Sequence, residues 1–446
     1  MVATLSMNCI TITIMTEMNM VYDPSHPDAD ENGYDDTLTA VIHGTTSYPS
    51  LLAFDIEAFG LSGILNVNFV LVFISFVFLM EILEHLNVNK FLGTIVLFIG
   101  ILSPAVIWVA KSSLTESVQL PLLIAIIYGL IVMTDNKRYG LLIATVATIG
   151  QSVLHLSAFS ILPALGVLFL GVFLRTGDKL VLICNLIITV IYELAFLVQC
   201  KLFDIYVTAN ITLSLNKMLG REFPHSFYVS LISITGMVLA LITLIFLIPK
   251  VREIALKLMN KAVYPVVVLL VLAVSIAMFV RSFVSQIGIN GLEASVYNFT
   301  VDGVLLSCGI ILLPLALVFC VIFINKAMKD SKLEILVIAF IYFVFFLQAI
   351  LHPVTNHYYY YARYFTPVVF LVPLLFATLS DRFVKKEIYS CAAGLLAVIV
   401  ILPFSLFVSS MKDDTNMSWR ELSDYSKNFS NGDAVVFSGG ARKELL

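Results

Sequence analysis

Apolar residues in this chain gather in long unbroken runs, separated by short charged or turn-forming breaks, with little of the alternation that marks half-buried strands. Runs at 65–85, 91–110, 118–134, 139–156, 158–174, 180–203, 227–248, 263–285, 302–325, 333–351, 364–380 and 388–409 make twelve candidate spans. A helix needs roughly 20 apolar residues to cross a bilayer, so the pattern predicts an all-α polytopic membrane protein with about 11–12 transmembrane helices. One pair is closely spaced: only His155, Leu156 and Ser157 part the fourth run from the fifth, and no charge marks the turn. Fusing the two would invert every later orientation, which the loop charges test.

With the split kept, the short loops on one side carry Lys90, Lys137, Arg138, Arg175, Lys179, Lys250, Arg252, Lys257, Lys261, Lys326, Lys329, Lys332, Arg382, Lys385 and Lys386. The other side carries Lys111, Lys201, Lys217, Arg221, Arg281 and Arg363. Fifteen against six is the imbalance expected of a cytoplasmic face, and it favours the split. Every sizeable segment between spans then lies outside: residues 1–64, 204–226, 286–301, 352–363 and 411–446. The expected organisation is an outer first loop with a juxtamembrane helix (1–64), a transmembrane domain (65–410) and an outer C-terminal segment (411–446).

Composition sharpens this. Of 446 residues 60% are hydrophobic and 13% charged, with mean hydropathy +0.98, which excludes a soluble globular enzyme. The net charge of −4 and the lack of any Lys/Arg-rich run exclude a nucleic-acid partner. The six cysteines lie mostly inside apolar runs without paired spacing, so neither a disulfide framework nor a zinc site is indicated.

Both ends raise an expectation. Residues 1–64 must reach the outer side, yet the uncharged run Val2 to Thr16 is too short to span and lacks a basic lead. A helix upstream of residue 1 is therefore expected. At the other end Ser418 and Glu421 form a capping box, and Leu422, Tyr425 and Phe429 follow at helical spacing until Asn431 and Gly432. Asp433 to Phe437 is strand-like, so this segment reads as the opening of a cut α/β domain or as a small cap on the outer surface.

The chemistry available outside starts with Asp23, Asp28, Asp30, Glu31, Asp35 and Asp36. A solvated acidic loop explains any one of them. Residues 48–64, however, are apolar with Asp55 and Glu57 embedded, as expected for a helix lying in the interface, and such a helix would pin the acidic loop at the membrane surface. A carboxylate held there suits a general base or a divalent-cation ligand, Mg or Mn.

Asp30 and Glu31, then Tyr34, Ala40, His43, Gly44, Pro49, Phe59 and Gly60, resemble the first periplasmic loop of the GT-C superfamily of membrane glycosyltransferases. The closer likeness is to the polyprenyl-phosphate-sugar-dependent family that includes aminoarabinose transferases and protein O-mannosyltransferases. It continues in Ser103, Pro104 and the stretch Trp108 to Glu116, and again in His352 to Pro367, where Tyr358 to Tyr361, Arg363 and Tyr364 precede a Pro-started span. The family's first helix has no counterpart here, and the gap from the Asp-Glu pair to Tyr34 departs slightly from its commonest form, which leaves Asp28, Asp35 and Asp36 as alternatives to Asp30.

The resemblance implies an inverting transfer of sugar from a polyprenyl-phosphate carrier to a glycan, lipid or protein acceptor at the extracytoplasmic face of a bacterial plasma membrane. Asp30 and Glu31 would be catalytic. Lys111, Arg363, Glu116, His43, Tyr360 and Tyr361 would bind substrate, the two cations holding the donor phosphate. Plainer readings stand beside these: Arg363 and Lys111 as snorkelling span ends, Arg281 likewise, and the tyrosines as an aromatic belt. Two rival functions remain, a multi-span transporter or flippase built around Glu193 and the polar Gln151 and His155 of the fourth span, and an outer-face glycan polymerase or ligase relying on His352 and Arg363. Four sequons, at Asn210, Asn298, Asn416 and Asn428, fall on the outer side and decide little.

Overall fold

The computed structural model describes residues 47–59, 66–111, 115–154, 158–202, 221–258 and 387–410, with isolated positions at 212, 216, 269 and 273 and between 337 and 386. Among these residues there are eleven helices and no strand. They are α1 (Ser47–Phe59), α2 (Asn66–His85), α3 (Lys90–Ile101), α4 (Pro104–Lys111), α5 (Glu116–Val132) and α6 (Lys137–Ser152). There follow α7 (Ala158–Thr176), α8 (Lys179–Leu202), α9 (His225–Ile245), α10 (Pro249–Leu258) and α11 (Glu387–Ser410). The spans expected at 263–285, 302–325, 333–351 and 364–380 lie, apart from isolated positions, outside the described residues, as do residues 1–46 and 411–446.

Four helices, α2, α8, α9 and α11, are long and apolar enough to cross a membrane. Each exposes most of its apolar surface, with Phe69, Phe73, Ile183, Ile187, Leu241 and Leu244 among the uncovered side chains. A soluble protein does not leave such belts in water. The chain is an integral membrane protein, all-helical among the described residues.

The run at 91–110 departs from the single span expected: α3 and α4 meet at a 58° bend. Pro104 brings no N–H to the helix ladder and restricts Ser103 before it, so the helix stops at Ile101 and restarts at Pro104. Ser405 of α11 donates to the carbonyl of Leu102, a group the bend frees from the ladder. The interrupted span is thereby repaired from a neighbouring helix, as a bilayer requires.

At the centre stands α5, packed against α2, α4 and α6, with thirteen of its seventeen residues buried. An all-round apolar helix is stable only when enclosed in this way. Its contact with α6 is closest at Gly129 and Gly140, where a methyl group on Gly129 would lie 2.5 Å from the Gly140 carbonyl oxygen and from the Ala144 nitrogen. The two backbones touch because neither residue has a side chain.

Polar contacts orient the helices. Lys137, at the start of α6, pairs with Asp178 after α7 at 2.7 Å, while Gln199, near the end of α8, donates to the carbonyl of Ser152 at the end of α6 at 3.2 Å. The helices α6, α7 and α8 therefore run up, down and up. A continuous helix over 137–176 would be about 60 Å long and would hold Lys137 far from Asp178, so the chain reverses between Ser152 and Ala158, as the loop charges indicated.

The same logic sorts the remaining termini. His85 lies 3.6 Å from Asp135, the side chain of Asn89 donates to Glu387 at 2.8 Å, and Arg252 covers the Phe173 ring at 5.2 Å. One end of the bundle thus gathers Lys90, Lys137, Arg138, Arg175, Lys179, Lys250, Arg252, Lys257 and Lys386. The opposite end has, among the described residues, Lys111, Lys201 and Arg221.

Candidate functional site

Helix α1 sits at the cation-poor end. Its Tyr48, Leu52 and Asp55 recur at helical spacing and are buried against α2, whereas Phe54 (66% exposed), Glu57 and Phe59 (61%) point away. The Tyr48 hydroxyl donates to Asn68 Oδ1 at 2.9 Å. Asp55 Oδ2 accepts the Val67 N–H at 2.8 Å, and the backbone of Asn66 donates to the same carboxylate. Asp55 therefore caps the first span from a different helix, meeting two of the N–H groups that a helix start leaves unpaired. Burial pushes its carboxyl above the usual carboxylate range, and the Val67 and Asn66 N–H groups pull against that rise.

Around the corner, α4 ends at Lys111 and α5 begins at Glu116. The Glu116 side chain is 5% exposed, and the Thr115 hydroxyl donates to its Oε2 at 3.4 Å. An acidic first turn suits the positive end of the helix dipole. One turn on, the Gln119 carbonyl accepts from Gln151 Nε2 at 3.1 Å, which joins the outer-side polar residue of α6 to α5. Ser152 and Gln199 extend the chain of contacts to α8. A polar layer thus runs from Gln119 through Gln151 and Ser152 to Gln199, one turn on from Glu116.

A second polar group closes the same end. Asn216 accepts from the Phe223 N–H at 2.8 Å, donates to the Phe223 carbonyl at 3.1 Å and accepts from the Tyr228 hydroxyl at 2.5 Å. Thr212 Oγ1 and His225 Nδ1 are 2.7 Å apart. Together they fix the entry into α9, and Phe223, Phe227 and Tyr228 pack ring against ring there. Nothing in the hydropathy pattern singles out Asn216, Gln119 or Gln199. The Pro224 preceding a long apolar run is the one local signal of an ordered helix entry.

Of the site residues expected from sequence, the structure places Glu116 with its side chain and Lys111 as the last residue of α4, both at the cation-poor end. Asp30, Glu31, His43, Tyr360, Tyr361 and Arg363 lie outside the described residues, as do Asp28, Asp35, Asp36, His155, Arg281 and His352. Among the described residues no group of three His, Cys, Asp or Glu side chains could hold a metal ion. The acidic residues of 23–36, expected as ligands for Mg or Mn, are not among them.

Glu193 stands apart from this layer. It leaves α8 toward α9, where Ser233 hydrogen-bonds its carboxyl group and the missing side chain of Gly236 makes room for it. Gln199, six residues on and about 120° around the helix, faces α6 instead. Glu193 and Gln199 are thus held on different flanks of α8. No protein-family model, curated protein or solved structure matches the chain.

Proposed function

We propose that the chain is a membrane glycosyltransferase that moves a sugar from a polyprenyl-phosphate carrier to an acceptor at the extracytoplasmic face. The observation that carries the reading is the cation-poor end of the bundle, which holds α1, Lys111 and Glu116. A juxtamembrane helix is capped onto the first span there, and a buried carboxylate opens the core helix a few residues after a lysine. That end is poor in cations, which by the positive-inside rule supports reading it as the outer end.

In this reading Asp30, assisted by Glu31, takes the proton from the acceptor hydroxyl or amine as it attacks the anomeric carbon opposite the phosphate. The bond from that carbon to the phosphate oxygen breaks, and the carrier leaves as polyprenyl phosphate. Lys111 and Arg363 offset the charge gathering on the leaving phosphate, Glu116 orients the acceptor, and His43, Tyr360 and Tyr361 line the sugar. Because phosphate is already a good leaving group, base positioning and charge stabilisation suffice.

The test is a transfer assay with a lipid-phosphate sugar and the purified protein. Asp30→Asn should abolish transfer at normal expression, and Glu116→Gln should reduce it about 10²-fold or more, the cost of a lost positioning group. Transfer unchanged by Asp30→Asn removes that residue from the site. Loss confined to Arg363→Ala would favour a polymerase or ligase built on the late loop.

A further inference from the structure

The helix α10 buries none of its residues fully, yet it has three distinct sides. Val251, Arg252, Ala255 and Leu256 are half-buried, and the helix packs on α7. Ile254 (61% exposed) and Leu258 (63%) form an uncovered apolar flank, continued by the exposed Leu247 and Ile248 at the end of α9. Lys250, Glu253 and Lys257 make the third side. Lys257 and Glu253 pair at 2.8 Å, which leaves Lys250, and Lys179 at the start of α8, as exposed cations without a carboxylate partner among the described residues.

The attachment is specific. Arg252 lies over the Phe173 ring at 5.2 Å and its guanidinium fills the space beside Gly177, a residue at φ +71 that ends α7. Pro249 starts α10 shortly after α9 ends at Ile245, which keeps the start of the helix close to the end of the span. A helix with one side on protein, an apolar flank beside it and lysines along the boundary has the form of an interfacial helix, whose lysine stems run along the apolar layer while their ammonium groups reach the headgroups.

We infer that α10 is a binding surface for anionic phospholipid, with Ile254 and Leu258 among the acyl chains and Lys250, with the neighbouring Lys179, on the headgroup phosphates. Charge chooses the occupant: the end of the bundle carrying α10 also holds Arg175, Lys179, Lys137 and Arg138, and Asp178 is already engaged by Lys137. A juxtamembrane cation near an anionic surface contributes about fivefold in affinity. Nothing in this inference depends on the chain being a glycosyltransferase.

The experiment uses the whole protein in nanodiscs of pure phosphatidylglycerol or pure phosphatidylcholine, each doped with the matching lipid bearing a diazirine on its acyl chain. Photolabelled peptides are mapped by mass spectrometry. Labelling of 247–258 is expected in both lipids, and native mass spectra in mixed lipid should show phosphatidylglycerol retained over phosphatidylcholine. In Lys250→Gln with Lys179→Gln that preference should fall on the order of 25-fold, while Lys201→Gln at the opposite end leaves it unchanged. Absence of label on 247–258, equal retention of the two lipids, a preference untouched by the double variant, or displacement of phosphatidylglycerol by inorganic phosphate would each overturn the proposal. The wild-type protein decides the matter even if the double variant does not fold, by labelling of 247–258 together with retention of phosphatidylglycerol over phosphatidylcholine.

Discussion

Removing the Asp55 carboxylate should undock α1 while leaving the first span in place. Asp55 Oδ2 holds the Val67 N–H at 2.8 Å and also accepts from Asn66, and loss of a helix-capping side chain costs about 0.5–2 kcal/mol. The site is 3% exposed, so water replaces the lost acceptor poorly and the upper half of that range applies. Asp55→Ala should therefore weaken docking by about 1–2 kcal/mol, which raises the amide exchange of α1 roughly tenfold in nanodiscs. Amides in the middle of α2 should not change. The conservative Asp55→Asn keeps one acceptor oxygen and should recover most of the protection. The pH dependence has a definite sign. A carboxyl whose value is raised in the folded state binds protons more readily there than when undocked, so docking is firmest below its ordinary value and loosens as pH rises through the raised one. Wild-type α1 should lose protection as pH rises across that window and the Asn variant should not. Equal α1 exchange in wild type and Asp55→Ala, or an unchanged pH profile in Asp55→Asn, would refute the capping role.

Two further outcomes follow from the packing. Gly236→Ala drives a methyl group into the Glu193 carboxyl and should cost about 1–3 kcal/mol of thermal stability in detergent; adding Glu193→Ala should restore much of it, and a double variant no better than the single one would show that the two residues are not in contact. Asp178 is opposed by burial, but its hydrogen bond to Lys137, the Leu180 N–H and the Lys137 charge outweigh that and hold it below the usual carboxylate range. Its contribution is present at neutral pH and lost as pH falls through that depressed value, and Lys137 is half-exposed, so the pair is worth no more than about 1 kcal/mol. Melting curves from neutral to acidic pH should show a small loss in wild type that Asp178→Asn lacks.

The helical, membrane-spanning character of the chain was legible because hydropathy is summed over about 20 residues and survives local detail. The reversal near His155 was legible because charge and length agreed, and the Lys137–Asp178 and Gln199–Ser152 contacts bear it out. The bend at Ser103 was not read, although Pro104 was visible, because an apolar count does not register where the hydrogen-bond ladder breaks. Glu193 was recognisable as a costly intramembrane acid, but its direction depends on Gly236, a residue 43 positions away whose significance lies in what it lacks. Of the expected site, Glu116 was singled out by resemblance, and the structure buries it at the start of α5. Asp55 was noted for its apolar surroundings, while its capping of α2 required the two helices to be seen together.

The closure of the bundle also sets a clock. Asn89 meets Glu387 across 298 residues, and Leu102 meets Ser405 across 303. A ribosome adding about 5–20 residues per second takes roughly 15–60 s to synthesise the stretch between such partners. For that time the broken span made by α3 and α4 sits in the bilayer with its freed carbonyl unmet and its α11-facing side bare. Synthesis interrupted before residue 405 should accordingly yield a chain whose early helices have inserted yet stay open to quality-control proteases at Leu102, a place where the first half of the protein waits for the last.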